Sequence, residues 1–336
     1  MNWSADKLTD LATGYWQSAA LIAAVQVGLF DHLDEPMTSD QIAAHCGAAP
    51  ETIAALLDAL ASLELLIKRA GLYSLDPTSK PLLCKSSPTC MLDALRYNAD
   101  LYQRWGSLGG AIAGNKSLVA PAGTSPTAAA TDETRTRRFV MGMESKARAF
   151  LPAIAPLIHL NSERTLLDVG SGPGTLSRHF AESDRSLHVT LFDLPDVLRV
   201  TREICANSAA YPRLEFCAGD YRREALPKPF DAILFAGALH QETPESAKLL
   251  SSRFYDSLAP GGRLFVVDLM LDDDRTHPRL SALFQLTMLL IQPGARVFSQ
   301  SELSAILLDR GFELQTTEQP VTSPYRIIIA RKPESA

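Results

Sequence analysis

The chain has 336 residues, of which 46% are hydrophobic and 21% charged. That is enough for two ordinary domains and excludes a disordered or collagen-like chain. The formal net charge of −6 offers no global basic field for phosphate backbone or anionic lipid. Cys46, Cys84, Cys90, Cys205 and Cys217 are odd in number and scattered, which suits a reducing cytoplasm and neither a disulfide scaffold nor a zinc site. The N-terminus MNWSADKLTD lacks the basic and apolar blocks of a signal peptide. No apolar run is long enough to predict a membrane span.

Residues 1–160 read almost wholly as helix, whereas the remainder alternates short apolar runs with helical stretches, so a domain boundary is expected between 160 and 161. Thr38 to Gln41 matches a capping box that opens a short helix stopped by Gly47. Pro50 and Glu51 start a second helix expected to run to Leu66, and residues 67–76 read as a hairpin. This order suggests a winged-helix module, and its charge argues against DNA. Residues 1–67 carry nine carboxylates against the single amine of Lys7, a surface that repels phosphate. The apolar excess at Leu21, Ile22, Val25, Leu29, Phe30, Ile53, Leu56, Leu57 and Leu60 favours burial against a second subunit. Residues 114–134, rich in Gly, Ala, Ser, Thr and Pro, read as a loop of lid or linker type. Phe139, Met141, Met143 and Phe150 on the next helix read as core or as a substrate wall.

Strands are predicted at 164–169, 188–193, 213–218, 230–236 and 263–269, which implies a parallel, doubly wound sheet. A last pair, 312–317 and 325–331, is joined by a segment with two prolines and should pair antiparallel. Within LLDVGSGPGTLS (166–177), Gly170, Gly172 and Gly174 let a ligand lie against bare main chain. The spacing is not that of a dinucleotide fingerprint, and Pro173 removes an amide donor, so pyrophosphate is disfavoured. An adenosyl ligand with a zwitterionic tail and a sulfonium suits a loop that also carries Asp168, and S-adenosylmethionine fits that description. Asp193 ends the next strand, where an acidic residue bonds ribose hydroxyls in adenosine sites, and Asp220 follows the third. Each carboxylate alone reads as a helix cap or solvated loop residue; three at successive strand ends read as a site.

These motifs resemble the two-domain S-adenosylmethionine-dependent O-methyltransferases that act on small molecules in plants and bacteria. The likeness covers nearly the whole chain: GLFDHL (28–33), DVGSGPG (168–174), FDLP (192–195), GDY (219–221), ALH (238–240), LAPGGRLFVVD (258–268) and DRGF (309–312). It implies a Rossmann-like class I methyltransferase domain with a mostly parallel seven-stranded sheet, preceded by a helical winged-helix dimerisation domain. It also implies a homodimer, a small-molecule acceptor, and S-adenosylhomocysteine as product. Gly170, Asp193, Leu194, Asp220 and Tyr221 fall at cofactor-contacting positions, His240 at the catalytic base and Asp268 at the acidic residue that orients it. Three departures stand out. His240 is followed by Gln241 and Glu242 where many members have Asp and Trp, Ala236 replaces a lysine of plant members, and the counterpart of a second acidic residue is Gln300 or Glu302. No metal is expected, since His188, His240 and His277 are far apart in sequence. Two rivals to methyl transfer remain: electrostatic use of the bound sulfonium for hydroxylation, decarboxylation or pericyclic chemistry, and a ligand-sensing regulator.

Overall fold

In the computed structural model the residues described are 2–114, 133–160, 162–227, 229–292, 294–320 and 323–334. They form two compact units, Met1–Tyr102 and Gln103–Ala336. The division precedes the compositional shift near residue 161 because a long helix, Glu133–Ile154, packs on helices of the second unit. The expected loop at 114–134 lies almost wholly outside the described residues.

In the first unit α1 (Ala5–Thr13) and α2 (Tyr15–Gln26) precede β1 (Met37–Thr38), α3 (Ser39–Cys46) and α4 (Pro50–Ser62). The hairpin β2 (Leu66–Arg69) and β3 (Leu72–Leu75) and the one-turn α5 (Lys80–Leu83) follow. Thr38 and Gln41 form the expected capping box, and Gly47 ends α3 in the left-handed region. Helix α4 stops four residues earlier than expected. Glu64 adopts φ +61°, and the Leu65 amide returns to the Leu60 carbonyl, a left-handed stop built without glycine. Strands β1 and β2 flank β3 in a small antiparallel sheet.

Most apolar residues expected at a subunit interface instead fill this unit's own core: Val25, Leu29, Phe30, Ile53, Leu57 and Leu60 are buried together. Among the described residues of this unit the most exposed apolar side chains are Trp3, Leu8, Leu11, Tyr15 and Trp16, all at least 60% exposed, and α1 buries no residue.

Helix α6 (Leu92–Trp105) leads into the second unit, which continues with α7 (Leu108–Ile112) and α8 (Glu133–Ile154). The sheet then alternates β4 (Thr165–Val169), α9 (Thr175–Ser183), β5 (His188–Asp193), α10 (Pro195–Cys205), β6 (Leu214–Ala218), β7 (Phe230–Ala236), α11 (Pro244–Ser257) and β8 (Leu258–Leu269). After α12 (Arg279–Ile291) and α13 (Gln300–Arg310), β9 (Glu313–Glu318) and β10 (Tyr325–Arg331) close the fold. The seven strands run in the order β6-β5-β4-β7-β8-β10-β9. The first five are parallel and β10 is antiparallel to both its neighbours, the pairing with β9 being the one expected from the prolines between them. The strand order reverses between β4 and β7. Ligands in open α/β sheets bind at the carboxyl ends of such strands. Two apolar layers sandwich the sheet, one under α11 and α13, the other under α9 and α10. Phe139 and Met141 of α8 pack around Val140, Val197 and Val200, and Phe150 joins the second layer, so three of the four residues read as core or wall are core.

Candidate active site

The glycine loop after β4 is built as its sequence demands. Gly170, Gly172 and Gly174 have φ of +64°, +52° and +69°, a region costly for residues with a Cβ. Gly170 donates to the Phe192 carbonyl at 2.8 Å. A Cβ there would lie 3.2 Å from the Tyr221 ring and 3.6 Å from the Ala238 methyl, so this glycine admits the loops that follow β6 and β7. A Cβ on Gly172 would meet nothing within 4 Å, leaving bare main chain facing open space. Thr201 on α10 holds the loop from behind by donating to the Gly172 carbonyl at 2.6 Å.

The three carboxylates expected at strand ends are electrostatic neighbours in sequence, Asp193 influencing Asp168 and Asp220 influencing Asp193. Asp168 is buried and accepts from Ser177 at 2.6 Å. Burial, reinforced by the charge of Asp193 and opposed by the Ser177 hydroxyl, pushes its carboxyl up to about 7. Asp193 accepts the Gly172 and Leu194 amides, each at 2.7 Å. Burial also raises Asp193, to about 6, against those two amides. Asp220 accepts the Arg222 amide at 2.9 Å and pairs with Arg223 at 3.4 Å, so it caps its own turn as well as facing Asp193.

Asp168 gives a sign-definite prediction. In the folded protein it keeps its proton up to about pH 7, whereas in the unfolded chain it ionises near 3.9. Its stabilising contribution is therefore present at acidic pH and lost as pH rises through about 7. Relative to Asp168→Asn, which does not titrate, the wild type should lose about 2 kcal/mol between pH 5 and pH 8. Parallel thermal melts of the two proteins check this; a constant gap would contradict it.

His240 lies beyond β7. Gly237, at φ +68°, turns the chain into a short 3-10 turn, Leu239–Gln241, and donates to the Val267 carbonyl at 2.8 Å. Asp268, fully buried near the end of β8, grips this turn twice. Its Oδ2 accepts the His240 amide at 3.2 Å and its Oδ1 lies 2.8 Å from His240 Nδ1, while Oδ1 also accepts the Leu269 amide at 2.7 Å. With Nδ1–H donating to the carboxylate, Nε2 is left as a proton acceptor. Phe284 of α12 stands edge-on to the imidazole, ring centroids 4.8 Å apart. This aromatic neighbour comes from the apolar 280–291 segment and not from the residues after His240.

Glu242 is only 2% exposed and accepts from Tyr221 Oη at 3.1 Å and Arg222 Nε at 2.8 Å. Of the two candidates for a second acidic residue, Glu302 is held in a capping box with Ser299 and pairs with Arg275 and Arg296, while Gln300 is the first residue of α13. Sequence reasoning missed Glu144 on α8, which receives Thr175 and Arg178 and ties α8 to the glycine-loop helix. Its only signal is a carboxylate amid an apolar stretch. Asp272, Asp274 and His277 bring ligand atoms within 4.8 Å at the exposed surface, but Asp272 is bonded by Arg326 and Asp274 by Thr276.

A family model described as the O-methyltransferase domain matches residues 105–313. The chain belongs to the O-methyltransferase family. Residues 9–85 match a second model, the O-methyltransferase dimerisation domain. Acetylserotonin O-methyltransferase of Mus musculus is 30% identical over 342 residues, covering 97% of this chain and 88% of the relative. The tetracenomycin polyketide synthesis 8-O-methyl transferase TcmO of Streptomyces glaucescens is 28% identical, covering 97% and 96%. Human N-acetylserotonin methyltransferase, solved in complex with SAM, superimposes with a TM-score of 0.88 at 26% identity and covers 99% of each chain. The expected architecture, a dimerisation domain followed in sequence by a methyltransferase domain, is therefore met.

Proposed function

We propose that this O-methyltransferase takes its methyl group from S-adenosylmethionine and delivers it to a hydroxyl of a small hydrophobic or aromatic molecule, with His240 as general base. The observation that carries the reading is the His240–Asp268 pair at the carboxyl end of β7, across the sheet's switch point from the glycine loop. The residues fit the cofactor. Open main chain at Gly172, a buried Ser171 hydroxyl with no partner, and the row of Asp168, Asp193 and Asp220 suit a cationic, phosphate-free nucleoside. Asp193 would hold the ribose hydroxyls, Gly170, Gly172, Gly174 and Leu194 the main-chain side, and Asp220 and Tyr221 the adenine edge.

When bound, S-adenosylmethionine supplies an electrophilic methyl on a sulfonium. This chain's part is to place an acceptor hydroxyl beside His240 and remove its proton at Nε2. Asp268 holds Nδ1–H, fixes the tautomer and offsets the imidazolium charge as it develops. Phe284 gives that hydroxyl's carrier an aromatic edge to lie against. The relatives named above methylate acetylserotonin and act in tetracenomycin polyketide synthesis, which supports a hydroxylated aromatic acceptor. The test is incubation with methyl-labelled S-adenosylmethionine and a panel of acetylserotonin, naphthols and hydroxynaphthoates. Equimolar S-adenosylhomocysteine and labelled methyl ether are expected; conversion of an acceptor without S-adenosylhomocysteine would favour one of the non-transfer chemistries.

The same reading extends to a homodimer that pairs through the surface around α1. Trp3, Leu8, Leu11, Tyr15 and Trp16 form an apolar group around a helix that buries nothing, and the dimerisation-domain match begins at residue 9. A homodimer burying these residues removes that surface from water. Sedimentation should give a dimer for the wild type and a monomer for Leu8→Asp/Leu11→Asp. A double variant that stays dimeric would place the interface elsewhere.

A further inference from the structure

Glu242 is the most deeply buried carboxylate near the site after Asp268, and nothing in the reaction uses it. A buried ion pair rarely adds net stability, because desolvating both charges cancels most of their attraction. An apolar pair of similar volume would fill the same space, so the position of this pair is more informative than its energy.

Three segments meet there. Tyr221 lies against the glycine loop, its ring edge 3.2 Å from where a Cβ on Gly170 would sit, and its hydroxyl donates to Glu242 at 3.1 Å. Arg222, next in sequence, donates from Nε to the same carboxylate oxygen at 2.8 Å and from Nη2 to the Gln241 carbonyl at 3.3 Å. Just past the end of α12, Gln292 Nε2 donates to that carbonyl at 2.8 Å. The 3-10 turn carrying His240 is thus held from one side by Asp268 and from the other by residues of the GDYRR turn and by Gln292. Glu242 is two residues past His240. It links the base to the glycine loop through a single side chain, Tyr221.

We infer that Glu242 is a positioning residue for methyl transfer: through Tyr221 and Arg222 it fixes where His240 stands relative to the glycine-loop cradle. The inference rests on His240 being the base. Methyl transfer requires an in-line arrangement, and displacing reacting groups by about 1 Å can cost about a hundredfold in rate. Loosening this hold therefore lowers kcat more than it weakens binding. Glu242→Gln tests it most simply. Tyr221 and Arg222 donate to one carboxylate oxygen, which the amide retains as a weaker acceptor, but the charge that held Arg222 is gone.

The experiment is a kinetic cycle of Glu242→Gln and His240→Ala, with whichever panel acceptor is turned over, at temperatures where melts show every variant folded. Arg222→Gln/Glu242→Gln, which strands no charge, serves as a second variant should the single one unfold. Glu242→Gln is expected to lower kcat about tenfold with KM for both substrates changed less than about threefold. In the His240→Ala background it should add less than about twofold, since the residue it positions is gone. A readout independent of turnover is the His240 Nδ1 proton resonance in isotope-labelled protein, assigned by its absence in His240→Ala. It should shift or broaden in Glu242→Gln. An unmoved resonance, an equal loss of kcat in both backgrounds, or unchanged kcat with a lowered Tm would each overturn the positioning role. If instead His240→Ala keeps full activity, the base assignment itself falls; a slow His240→Ala beside a fully active Glu242→Gln sinks only the role of Glu242.

Discussion

Replacing His240 with Ala is expected to lower kcat by about 10²–10³-fold while leaving affinity for S-adenosylhomocysteine within about twofold. The imidazole accepts the acceptor's proton but lies on the opposite side of the switch point from the residues proposed to hold the cofactor. Some activity should persist, because holding nucleophile and methyl in line contributes independently of proton removal. Asp268→Asn should cost nearly as much, for a different reason. The amide can donate to Nδ1, which would leave Nε2 carrying the proton and unable to accept one. Asp268 also accepts two backbone amides, from His240 and Leu269, so thermal melts must accompany the kinetics. A His240→Ala enzyme with wild-type kcat would remove the base from the mechanism.

Asp193→Asn should produce the largest loss of cofactor affinity, about tenfold to a hundredfold by calorimetry with S-adenosylhomocysteine. Hydrogen bonds to a charged group contribute about 1.5–3 kcal/mol. The Asp193 carboxylate accepts the Gly172 and Leu194 amides and so also shapes the glycine loop. The pH dependence follows from the same group. Its ionised form is the better acceptor for ribose hydroxyls, and burial raises it to about 6. Affinity should therefore hold from pH 8 down to about 6.5 and weaken several-fold by pH 5, whereas Asp193→Asn should be flat over that range. Equal pH profiles for the two proteins would take Asp193 out of the ribose contact.

Much of this architecture was legible in the residues, and the exceptions have physical causes. The central parallel strands show as apolar runs because both faces of the sheet are buried there, and the antiparallel pair at the end shows because prolines disfavour a crossover helix. Asp168 and Asp193 stand out as candidates because each lies at the end of an apolar run, where a short polar residue is conspicuous, and His240 follows the next such run by four residues. The end of α4 could not be placed. It depends on Glu64 adopting a left-handed conformation that glycine usually announces. Most of the apolar residues expected at a subunit contact are buried within the unit, since Leu57 and its neighbours satisfy one another, and the most exposed apolar side chains lie around α1. Glu144 and Glu242 were invisible as working residues because their partners lie 34 and 20 positions away, Arg178 and Arg222. A carboxylate's burial is decided by tertiary neighbours that no local pattern encodes.

The proposed mechanism requires an acceptor hydroxyl to sit between the glycine-loop cradle and His240. A crystal structure with S-adenosylhomocysteine and a turned-over hydroxyarene tests this most directly. The expected result is the ribose on Asp193, the sulfur turned toward the His240 turn, and the acceptor oxygen about 2.6–3.2 Å from His240 Nε2. An acceptor oxygen bound well away from that nitrogen, with the His240–Asp268 bond intact, would contradict it.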